Sequence, residues 1–117
     1  MDSPGWEAQF NTEIERARTA RKAGNEGQAR VCARRAAGAA IGEYFRRQGL
    51  PLLDPNAYSH LESLRDLPGM PPEVHVLVSH LLQRVDTDFA LPGSIDLVAD
   101  AIKLAAQLGL DILPNSD

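Results

Sequence analysis

Five arginines, Arg30, Arg34, Arg35, Arg46 and Arg47, fall within one stretch whose pattern predicts a helix. Guanidinium groups are planar, permanently charged and matched to phosphate oxygens. Arrayed along a groove they form a candidate anion- or nucleotide-binding strip. The same spacing also suits a solvated or salt-bridged helix face, because carboxylates are interspersed among them. Aromatic residues able to stack on bases make up only 5% of the chain, which argues against a dense, unspecific nucleic-acid surface.

The other reactive side chains form no recognised catalytic pattern. His75 and His80 are five residues apart, His60 stands alone, and the one cysteine, Cys32, is distant from all three. No zinc spacing results, and helix-surface or helix-end positions are expected for the histidines. Cys32 lies among alanines and reads as a small buried hydrophobe rather than a nucleophile. Asp86, Asp88, Asp96 and Asp100 could serve a hard cation, with Asp96 and Asp100 on one helix face. The plainer reading has Asp96 complementing a helix N-terminus and Asp100 solvated or paired with Lys103. The segment Gly24-Asn25-Glu26-Gly27 lacks the Lys-Ser/Thr of a phosphate loop and reads as a turn. No metal, cofactor or catalytic residue is therefore expected.

These residues need a scaffold, and the composition specifies its class. The chain has 117 residues, 44% of them hydrophobic, with 16 acidic against 12 basic groups. That length suffices for one domain with its own core, here expected over the whole chain with a core from about residue 6 to 108. A single cysteine excludes an internal disulfide, so a reducing, cytoplasmic setting is expected. No apolar run reaches the roughly 20 residues of a membrane span, and Met1–Gly5 has no signal-peptide character. Charge is uneven, with a basic excess of 3 through Gly49 and an acidic excess of 7 from Leu50 onward. Two groups of helices attracting each other within one domain would account for this.

Aromatic and β-branched residues are sparse and Ala, Leu, Arg and Glu abundant, which predicts an all-α fold. A first helix starts after Ser3 and carries Trp6, Phe10, Ile14, Ala17 and Ala20 or Arg21 on one stripe. Gly24 ends it, and Asn25 with Gln28 forms a capping box for the second. That second helix, Glu26 to Gln48, buries Ala29, Ala33, Ala36, Ala37, Ala40, Ile41 and Tyr44, while Gly38 and Gly42 allow a close neighbour. Asp54-Pro55 starts a short third helix through about Leu67. A fourth runs from Pro72 to Asp88, burying Val74, Leu77, Val78, Leu81, Leu82 and Val85. After a loop at Phe89–Gly93, Ser94 caps a last helix with Ile95, Val98, Ala99, Ile102, Ala105, Ala106 and Leu108 inward. The expected architecture is an antiparallel up-and-down bundle of four long helices plus a short fifth, the latter third in chain order.

In sum this pattern resembles the HEPN superfamily of helical domains from prokaryotes and higher eukaryotes. The residues that carry the resemblance are the polar hairpin at Gly24-Asn25, the alanine-rich helix ending Tyr44-Phe45-Arg46-Arg47-Gln48-Gly49, the segment Ser59-His60-Leu61-Glu62-Ser63-Leu64, and Asp88-Phe89-Ala90-Leu91-Pro92-Gly93-Ser94 followed by Asp100–Ala105. The resemblance implies a bundle that often dimerises and works beside a small nucleotidyltransferase. Many members cleave RNA with an Arg and a His separated by four to six intervening residues. That signature is absent here: Arg84 is followed at those positions by Phe89, Ala90 and Leu91, and Arg65 precedes His75 by ten residues. Arg65 and His75 could still meet across the proline-rich loop.

The leading expectation is a non-catalytic HEPN-like binding or assembly domain, homodimeric or paired with a nucleotidyltransferase-like protein. An apolar face including Trp6 and Phe10 would be its mark. The alternative is a nucleotide- or RNA-binding protein, RNA-cleaving members of toxin–antitoxin type included, that uses Arg30, Arg34, Arg35, Arg46 or Arg47 against phosphate. A third reading is a helical-hairpin adaptor, since Ala17, Ala20, Gly24, Asn25 and Ala29 also resemble part of one tetratricopeptide unit, although no second copy follows.

Overall fold

The computed structural model describes residues 5–52, 56–83 and 96–110. Five helices run α1 (Gly5–Lys22), α2 (Glu26–Gln48), α3 (Ala57–Asp66), α4 (Pro72–Leu82) and α5 (Leu97–Gln107), with no strand among the described residues. The expected roles of Ser3, Asp54-Pro55, Val85, Asp86, Asp88, the 89–93 loop, Ser94 and Ile95 lie outside the described residues, as does Arg84.

The hairpin of α1 and α2 is the framework. Gly24 takes φ +82°, a left-handed conformation that glycine adopts without steric cost. Its N–H donates to Arg21 O at 3.0 Å and that of Asn25 to Ala20 O at 2.8 Å, so the orphan carbonyls of α1 are satisfied. Asn25 Oδ1 accepts from Gln28 N at 3.1 Å. The expected capping box is only half made, because the Gln28 side chain donates to Cys32 Sγ at 3.4 Å instead of turning back.

Phe10, Ile14 and Ala17 of α1 meet Ala29, Ala33, Ala36, Ala37, Ala40 and Ile41 of α2 in the core, with Cys32 buried as expected. Phe45 rather than Tyr44 is the fully buried aromatic of α2, and Tyr44 is half-buried with its ring edge-on to Phe45. Small side chains along α2 let it pack against α1, α3 and α5 together, while α4 packs against α3 and α5. At Gly38 a Cβ would lie 3.0 Å from the Ala57 Cβ, so α3 crosses where α2 has no side chain. The glycine strip therefore faces another helix of the same chain.

Only α1 and α2 are long among the described residues; α3, α4 and α5 have 10 or 11 residues each. Asn56 caps α3, its Oδ1 accepting from Tyr58 N at 2.7 Å. The fourth helix ends at Leu82, not Asp88. Arg34 explains the stop, since its Nε donates to Leu81 O at 2.7 Å and its Nη2 to Gln83 O at 2.9 Å. A guanidinium thereby occupies carbonyls that the next turn of helix would have used.

α5 is rotated from its expected face. Leu97, Val98, Ala101, Leu104, Ala105 and Leu108 are buried, whereas Ile102 is 37% exposed, Ala106 exposed and Ala99 half-buried. Asp100 is buried on that face with them, where it accepts from His80 of α4.

Candidate functional site

A groove of about 970 Å³ lies between α1, α2 and α3. Its floor is one face of α2, on which Val31, Arg35, Ala39, Gly42 and Arg46 recur at steps of three and four. Trp6, Gln9 and Glu13 of α1 form one wall, and Ala57, Tyr58 and His60 of α3 the other, with Arg34 at the α3 side. A hydrogen bond orients His60, its Nδ1 donating to Gly38 O at 2.9 Å.

Of the five arginines singled out in the sequence, Arg34, Arg35 and Arg46 line this groove. Arg47 stands at its end with the guanidinium carbon 6.0 Å from the Trp6 ring centre, whereas Arg30 is not part of its lining. The three groove arginines are held differently. Arg34 grips the end of α4 and lies 5.3 Å from the Tyr58 ring centre, a cation–π contact. Arg46 makes two bonds to Glu43, Nε to Oε1 at 2.9 Å and Nη2 to Oε2 at 2.7 Å. Arg35 is exposed.

Glu43 also accepts from Arg47 Nε at 2.6 Å. The Arg46 hydrogen bonds, with those of Arg47, outweigh burial and hold the Glu43 carboxyl down to about 2. Glu13 is a second buried carboxylate on the groove, 7% exposed. Its Oε2 receives one long bond from Arg16 at 3.4 Å, while Oε1 has no hydrogen-bond partner among the described residues. The sequence reading missed Glu13 because it sits one residue before Ile14 on a stripe read as apolar. Charged residues are seldom this buried with one oxygen left unpaired.

The remaining candidates separate. Asp96 caps α5 as expected, its Oδ1 accepting from Val98 N at 3.1 Å and Ala99 N at 3.2 Å, and also binds Arg21 at 3.0 Å. Burial works against ionisation of Asp96, but these bonds win and its carboxyl lies below the ordinary range. The same Asp96 hydrogen bond raises the Arg21 guanidinium above its ordinary value. Asp100 is neither solvated nor paired with Lys103, because His80 takes it into the α4–α5 interface. His80 is correspondingly 30% exposed rather than a free surface residue. Arg65 bonds its neighbour Asp66 at 3.1 Å and His75 is exposed on α4. Among the described residues no group of three His, Cys, Asp or Glu side chains could hold a metal ion, and no helix is long and apolar enough to cross a membrane.

Phe10 is 1% exposed, so it contributes nothing to a docking face; among the described residues the large exposed apolar side chains are Val31 on α2, Leu50 after it, Val76 on α4 and Ile102 on α5. No family model matches the chain, and comparison with curated proteins and with solved structures likewise finds no match.

Proposed function

We propose that the chain is a non-catalytic, HEPN-like binding domain whose α1–α2–α3 groove takes a ligand bearing both a phosphate and a base. The observation that supports this reading is the gathering of Arg34, Arg35 and Arg46 with Trp6 and Tyr58 on one groove. Guanidinium groups meet phosphate with paired, charge-assisted bonds, and aromatic rings accept bases by stacking. The groove's volume lies within the range of small-ligand sites. A homodimer, or pairing with a nucleotidyltransferase-like protein, is the assembly in which such a domain would work.

Trp6 is the chain's one tryptophan and lies on the groove wall, so its fluorescence reports occupancy. ATP and a short single-stranded RNA should change its emission, with affinity falling as salt rises and lost in Arg35→Ala. Retained emission at millimolar ligand, checked by calorimetry, would refute the reading. Light scattering of the same sample measures the assembly.

A further inference from the structure

Glu13 carries the inference. Its side chain is 9% exposed, it lines the groove, and its Oε1 has no hydrogen-bond partner among the described residues. Arg16 offers the other oxygen one long bond at 3.4 Å from a side chain that is itself 61% exposed. A buried carboxylate left in this state carries acceptor capacity that some donor should fill. Oε1 is closed off from solvent as Glu13 stands, and rotation about the last torsion of Glu is broad, so pairing with a bound donor requires the carboxylate to turn toward the groove.

The position fixes what else the donor-bearing molecule meets. Trp6 and Arg47 face each other across the antiparallel hairpin. Seven residues along α1, and as many back along α2, set Glu13 level with Ala39 and Ala40. Ala39 is a floor residue with little bulk, and Arg35 lies one turn further along the same floor.

We infer, building on the reading above, that the groove selects guanine among the bases, with Glu13 as the residue that recognises it. The ring N1–H and the exocyclic N2 amine of guanine are adjacent donors, which a carboxylate accepts as a pair. Adenine and cytosine each set an amine beside a ring nitrogen acceptor, whose lone pair repels a carboxylate. Uracil has one N–H between two carbonyl oxygens. Guanine alone of the four presents two neighbouring donors to two carboxylate oxygens, and Arg35 then meets the phosphate.

Calorimetric titration of the full chain with GMP, AMP and UMP tests this. GMP should bind tighter than AMP by on the order of tenfold, the scale of a hydrogen bond to a charged group. Glu13→Gln should invert the order, since a Gln amide pairs its oxygen and N–H₂ with the amine and ring nitrogen of adenine. A gain in AMP affinity cannot come from a failure to fold. The trinucleotides UGU and UAU, run beside the mononucleotides, distinguish a free nucleotide from guanine within RNA. Equal affinity for GMP and AMP overturns guanine selection and leaves the groove reading standing. Failure of every nucleotide and trinucleotide to bind overturns both.

Discussion

His80 Nδ1 lies 2.9 Å from Asp100 Oδ2, joining α4 to α5 through a carboxylate that is 6% exposed. The pair sits where the two helices pack, so Asp100→Ala should remove the acceptor of His80 from a buried position. We expect a loss of about 1–3 kcal/mol in urea unfolding. His80→Ala, which strands the buried carboxylate, should cost at least as much; a neutral result for both would show that the pair contributes nothing.

Acid should act on Glu43. Its folded carboxyl titrates at about 2 against an ordinary 4.5, so the Arg46 and Arg47 bonds stabilise the fold fully above the ordinary value. This contribution is lost as pH falls from about 4.5 toward 2. Asp96, also depressed, adds in the same sense. Urea midpoints at pH 6 and pH 3 should therefore differ less in Glu43→Gln than in the parent chain.

The two glycines of α2 should respond in opposite directions to alanine. At Gly42 a Cβ would meet His60 Cε1 at 3.5 Å, an ordinary contact, and the gain in helix propensity of up to about 1 kcal/mol should appear as stability. At Gly38 the neighbours are Ala57 Cβ at 3.0 Å and its Cα at 3.2 Å. Backbone cannot step aside as a flexible side chain does, so Gly38→Ala should destabilise by roughly 1–3 kcal/mol despite the same propensity gain. Thermal unfolding of the two variants measures the contrast.

Arg34 and Arg35 are neighbours with separable jobs. Arg34→Lys keeps the charge but loses the fork that reaches Leu81 O and Gln83 O together, and should cost about 1–2 kcal/mol of stability. Arg35→Ala should leave the unfolding midpoint nearly unchanged, as expected for an exposed helix position. Denaturation of both variants, beside their nucleotide titrations, separates a structural arginine from a binding one.

Periodicity made the helical scaffold legible. The stripes of α1, α2 and α4 rest on apolar spacing alone, and the observed cores follow them at Phe10, Ile14, Ala33, Ala37, Val74, Leu77 and Leu81. Polar residues that are buried by a distant partner defeated the same method. Asp100 interrupts an apolar face because His80, twenty residues earlier, receives it, and nothing in the local pattern announces that pairing. Glu13 was hidden for another reason: it has no distant partner among the described residues and lies inside the apolar stripe of α1. The arginines were visible as residue types, but their division between groove, helix clamp and groove end depends on where α3 and α4 lie. Gly38 and Gly42 signalled close packing without naming the helix that uses it.

The hairpin turn at Gly24 bears on how tightly any groove occupant is held. The wall with Trp6 and Glu13 belongs to α1, which packs chiefly on α2, whereas the opposite wall belongs to α3 within the rest of the bundle. An opening of α1 that left α2 to α5 packed together would separate one wall from the floor and expose Phe10, Ile14 and Ala17. Amide exchange along α1 then reports the fraction of molecules with an intact groove, and that fraction scales every apparent affinity measured there.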